Sequence, residues 1–202
     1  MNINELDNFW FTYINIPVDS ISEFIINNEV ARAYQIKYEY INVDEFYLNS
    51  LHLHSSLDFY AVLYFRPRIS PEKTIAIGNA GSWGTLSNFI CKHLSGRNIQ
   101  FDINDSMSGV LRNTLICNES GKPMRFVQSL FSDEEDEWIF TEKGDPLEFE
   151  DLDNYLNPDV SARLNKSVLI KYCKNLDLNI ENHDFFRSDE KVLYVRHEIK
   201  KK

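Results

Sequence analysis

Residues 57–66, LDFYAVLYFR, form a nearly continuous apolar run that Pro67 brings to an end. Such a run reads as a central strand buried on both faces, and proline closes it because it cannot donate to a strand ladder. A strand covered on both sides needs a sizeable core. The chain's 202 residues supply one, either as one large domain or as two small ones. A chain of this length buries about 70% of its unfolded surface without help from disulfides or a metal.

The remaining elements are short and mixed. Residues 9–16 are aromatic and β-branched up to Pro17 and read as a strand. Asp19 or Ser20 then caps a helix over 21–28, with Glu23 completing a capping box with Ser20. Residues 34–41 alternate at period two, the pattern of a half-buried strand. Residues 73–78 form another strand. Leu86, Phe89, Ile90 and Leu94 then mark one face of a helix over 85–95 that Gly96 stops.

Strands are expected at 98–103, 111–117, 124–131 and 137–141. The turn 118–123 and an acidic loop make two hairpins of the last three. Helices are expected over 149–156 and 160–176. The second carries Val160, Leu164, Val168, Leu169 and Tyr172 on one face. A last strand spans 191–199. The order favours a single α+β domain: a mixed, mainly antiparallel sheet with packed helices, and subregions at 1–106 and 107–202.

Charge narrows the function classes. There are 31 acidic against 21 basic residues, a net charge of −10. That argues against binding nucleic acid or anionic lipid, both of which call for positive charge. No apolar stretch is long enough for a membrane helix, and the N-terminus lacks the pattern of a secretory signal. Cys91, Cys117 and Cys173 form no CxxC pair and read as free thiols in a reducing cytosol.

The strongest anomaly is acidic. Asp133, Glu134, Glu135, Asp136 and Glu137 are consecutive, and Glu142 and Asp145 follow. Between residues 132 and 153 there are eleven carboxylates against Lys143 alone. These residues suit a solvated hairpin tip and helix start, or a docking face that steers a basic partner. They do not match a calcium-binding loop, and no metal site is expected.

Gly78, Gly81 and Gly84 lie between a strand and a helix, and Asp102 ends the next strand. That is the setting of a dinucleotide loop. The first two glycines are three apart, however, and Trp83 sits in the loop, so no nucleotide or other cofactor is expected. His52 and His54 would share a strand face but lack further zinc ligands, while His93, His183 and His197 stand alone. No nucleophile elbow or metalloprotease motif is present.

One segment carries a likeness. Arg125-Phe126-Val127, an acidic loop, Glu137-Trp138-Ile139-Phe140, Gly144-Asp145-Pro146-Leu147, Phe149-Glu150, Tyr155, Arg163-Leu164, Leu169 and Tyr172 occur in that order. The span 124–176, about a quarter of the chain, resembles the hairpin-plus-helices segment of bacterial immunity proteins against polymorphic toxins. Those of contact-dependent growth inhibition systems are among them.

The resemblance implies a cytoplasmic, non-catalytic protein that binds a cognate toxin domain and blocks it. Many such toxins are cationic nucleases, at whose clefts carboxylates can mimic phosphate charge. Asp133, Glu134, Glu135, Asp136, Glu137, Glu142 and Asp145 are the expected partner-binding residues. Two alternatives stand beside this: a small nucleotide- or metal-using enzyme built on the loop 78–84, and a phage-derived or regulatory interaction protein. Trp138 and Phe140, two apart on a strand, are expected to face the core together and pack on the helix 160–176.

Overall fold

A computed structural model describes residues 8–29, 36–42, 59–78, 83–104 and 110–198. The strands are β1 (Asn8–Ile14), β2 (Lys37–Ile41), β3 (Phe59–Phe65), β4 (Thr74–Gly78), β5 (Arg97–Asn104), β6 (Arg112–Glu119), β7 (Lys122–Ser132), β8 (Glu137–Lys143) and β9 (Val192–Glu198). They form one sheet in the order β2-β9-β3-β4-β1-β5-β6-β7-β8. Every described pair is antiparallel. The α+β expectation holds in a single domain. The sheet runs without a break from β5 to β6, and β9 returns to pair with β2 and β3.

The period-two alternation of the inner strands sorts their side chains into two cores. Val62 and Tyr64 of β3 face one side, with Ile14 of β1 and Ala76 of β4. Against them pack α1 (Val18–Asn27) and α2 (Trp83–His93), through Ile21, Ile25, Ile90 and Cys91. Leu63, Phe65, Phe9, Phe11, Ile75, Ile77 and Phe101 face the opposite side. There the C-terminal segment covers them with α3 (Val160–Arg163), α4 (Lys166–Asn175) and two 3₁₀ turns, Leu152–Leu156 and His183–Phe186. The run around β3 is therefore buried from both sides.

The structure corrects several local expectations. The first helix starts at Val18 with Pro17 at its cap and no side-chain cap, so Ser20 and Glu23 form no capping box. Proline's fixed φ sets the entry instead. At the end of α2 the left-handed residue is Ser95, with φ 53°. Gly96 is there because a Cβ at that position would run into Ile16. The segment 149–156 forms a 3₁₀ turn over 152–156, not an α-helix.

The long helix expected over 160–176 is broken. Leu164 is extended, and the side chain of Asn165 accepts the amide of Val168 at 3.0 Å, capping a new helix. The apolar face is nonetheless real, since Leu164, Val168, Leu169 and Tyr172 are all buried. The break takes α4 onto β5 and β6 and leaves only the single turn α3 over β8.

Candidate protein-binding face

β7 and β8 pair from Phe126–Lys143 to Ser132–Glu137, and β6 lines the other side of β7 as far as Leu130, so the loop 133–136 stands just past the end of three paired strands. Asp136 adopts φ 54°, a left-handed conformation that Asp tolerates. The amide of Glu135 donates to Ser132 Oγ at 3.3 Å. Local hydrogen bonding thus shapes the loop and leaves its carboxylates free. Asp133, Glu134, Glu135, Asp136 and Glu137 are all exposed. No described Lys, Arg or His lies within ion-pair distance of any of them.

The other two expected binding residues lie elsewhere. Glu142 is five residues down β8, about 17 Å away at the rise of a strand, and is paired with Arg125 Nη2 at 2.7 Å. Asp145 is exposed just beyond it. The fold therefore groups Asp133 to Glu137 and separates Glu142 and Asp145 from them.

Arg125 organises the lower end of this hairpin. It points to the same side of β7 as Val127, into the core, where an unpaired guanidinium would be costly. Glu150 meets it through Nε at 3.0 Å and Nη2 at 2.8 Å, and the Gly144 carbonyl accepts from Nη1 at 2.7 Å. Glu150 also accepts from the Leu147 amide at 2.9 Å and the Tyr155 hydroxyl at 2.7 Å. Burial disfavours the Arg125 charge, yet the carboxylates of Glu150 and Glu142 outweigh it and raise its pKa. Tyr155 is raised too, first by burial and then by its hydrogen bonds with Tyr172 and Glu150. Glu150, one of the acidic run in the sequence, is thus a structural residue. The signal for it was Arg125 itself, a charge at an inward position of a strand.

Trp138 and Phe140 divide their tasks. Phe140 packs on Tyr155 with ring centroids 5.2 Å apart, and the Arg163 guanidinium lies over its ring at 5.6 Å. Trp138 is only half-buried and meets its cross-strand neighbour Phe131 edge-on at 5.7 Å. The expectation that both rest on the long helix is not met by Trp138, which lies against the neighbouring strand, while Phe140 joins the core at Tyr155 with Arg163 of α3 over its ring.

The residues of the alternative enzyme reading are partly described. The loop residues 79–82 and His52 and His54 lie outside the described residues. At the loop's flanks, Trp10 Nε1 donates to the Gly78 carbonyl at 3.0 Å, and the Gln100 amide fills the space beside Gly84. Asp102 is held by Arg112 at 2.6 Å; burial raises its pKa and the arginine opposes that.

His93 clusters with Phe24 and Phe89, and His183 lies 3.3 Å from Asp184. Of His197 only the backbone, in β9, is described. Among the described residues no three His, Cys, Asp or Glu side chains come together as metal ligands. All three cysteines are free and buried. No described helix is long and apolar enough to cross a membrane.

Compared with known proteins, the chain matches no family model, no curated protein and no solved structure.

Proposed function

We propose that this chain is an immunity-type inhibitor that works by binding, not by catalysis, and occupies a cationic toxin domain with its acidic hairpin tip. The observation that carries this reading is the set of five exposed carboxylates, Asp133 to Glu137, held together at the end of paired strands with no described basic side chain within ion-pair distance. Like charges crowded this way repel one another, and a basic surface relieves that repulsion on docking. Charges at such a rim chiefly accelerate encounter. A nuclease-type toxin, basic where it holds phosphate, is the partner that the resemblance of the segment 124–176 brings to this chemistry. In this reading the protein acts in the cytoplasm, where its three buried thiols stay reduced.

The test is growth rescue. The toxin domain encoded beside this gene should be lethal alone and harmless when co-expressed with the wild-type chain, while a non-cognate domain stays lethal. Replacing the five tip carboxylates with Asn and Gln should slow association and flatten its dependence on salt. Rescue and an on-rate that are both indifferent to that replacement would remove the tip from the interface.

A further inference from the structure

β8 is the last strand at its end of the sheet. It pairs with β7 along all seven of its residues without a bulge. Among the described residues, no backbone hydrogen bond beyond the helices and strand ladders involves 137–143. The turn α3 comes close to β7 as well as β8 and lays Arg163 over the Phe140 ring, so it lies across a face of the sheet and not beyond its edge. Alternate N–H and C=O groups of β8 are therefore left pointing outward.

Edge strands are commonly blunted by a proline, a bulge or an inward charge. β8 has no proline and no bulge, and Glu142, its one charge on the core side, is already paired with Arg125. Its middle, Trp138-Ile139-Phe140-Thr141, is aromatic and β-branched and only partly buried. On the other side of the strand the charges stand only at the ends, Glu137 at one and Lys143 at the other. Neither has an ion-pair partner among the described residues.

This order of charges makes the edge complementary to itself. Two copies of the strand, antiparallel, keep their faces matched only in registers that differ by two residues. In the register centred on Phe140, Glu137 of each copy lies opposite Lys143 of the other. Ile139 lies opposite Thr141, and Phe140 opposite its own copy. A shift of two residues either way leaves part of each strand unpaired and separates Glu137 from Lys143.

We propose that β8 pairs edge to edge with β8 of a second copy of this chain, in a two-fold antiparallel dimer centred on Phe140. The ends of the strands supply opposite charges at both junctions, and the outward backbone groups supply the ladder. The net charge of −10 on each chain opposes association, but the densest acid is kept apart. The two loops 133–136 stand at opposite ends of a run of seven residues, about 24 Å at the rise of a strand and well beyond the Debye length of about 8–10 Å. Asp145, the next acid after Lys143, follows the left-handed Gly144 and is off the strand. Asp133 to Asp136 remain outside the paired run, so the inference does not rest on what the acidic tip binds.

The test is charge exchange, read by sedimentation equilibrium of the full chain over a dilution series. The wild type should show a monomer–dimer equilibrium. Glu137→Lys and Lys143→Glu each place like charges at both junctions and should weaken self-association at least about ten-fold. The double variant should recover it. An equimolar mixture of the two single variants should also recover it, because unlike charges then meet at both ends. Both positions are exposed, so the far-ultraviolet spectrum of every variant should match the wild type. A wild type that stays monomeric at every concentration overturns the proposal. Single variants that associate like the wild type, or a double variant and mixture that stay as weak as the single variants, overturn it equally.

Discussion

Arg125 and Glu150, 25 residues apart in sequence, meet in a two-pronged ion pair whose side chains are 1% and 0% exposed. The pair ties the last hairpin to the segment that crosses over it, and so sets where the 3₁₀ turn Leu152–Leu156 comes to rest. Arg125→Met should cost about 3–5 kcal/mol, because it leaves the Glu150 carboxylate buried without its cation. Replacing both partners with apolar residues should recover much of that loss. Urea unfolding of the two variants reads the difference, and a double variant no better than Arg125→Met would contradict it.

Gly144 closes the same region. Its φ is +82°, and a Cβ there would overlap the Met124 carbonyl oxygen. Gly144→Ala should therefore lose at least about 1–3 kcal/mol, although alanine is otherwise the mildest of replacements. Thermal unfolding measures it directly.

The two aromatics of β8 should separate. Phe140→Ala removes a partly buried ring that packs on Tyr155 and lies under Arg163, and should cost a sizeable part of the roughly 3–5 kcal/mol of a fully buried aromatic. Trp138→Ala should cost clearly less, since its ring packs on Phe131 of the neighbouring strand whereas Phe140 packs against the main core, and should weaken partner binding. A larger stability loss at Trp138 than at Phe140 would show that the faces of the hairpin have been misjudged.

The cysteines give a chemical check on the cores. Burial pushes the thiols of Cys91 and Cys117 up to about 11 and that of Cys173 well above its ordinary value. Thiolate is the reactive species. At pH 8 the native protein should react with a thiol reagent hardly at all, and all three cysteines should react once it is unfolded. Rapid labelling of the native state would mean that one of the cores opens.

Most strands could be read directly, because alternation and β-branched runs survive whatever packs on them. The burial of 160–176 was also legible, but its helix was not continuous. Asn165 competes with the backbone by capping a new turn, and a periodicity argument sees only Leu164, Val168 and Tyr172 on one face. Acidity alone could not tell Glu150 from Glu134. One answers an inward arginine across the sheet, the other answers nothing within the described structure, and that distinction depends on register.

The position of β9 has a consequence for how the protein is made. β2 finds its only described strand partner in β9, with Lys37 opposite Arg196. On the ribosome, β2 therefore emerges well before its partner, since residues 42–191 must be made between the two. Pairings so distant in sequence form slowly, and an unpaired strand is exposed to aggregation in the meantime. A nascent chain stalled before residue 192 would present both Lys37–Ile41 and the flank of β3 that β9 later covers. Chaperones would engage the growing protein at that flank, and the sheet would close only once β9 has cleared the exit tunnel.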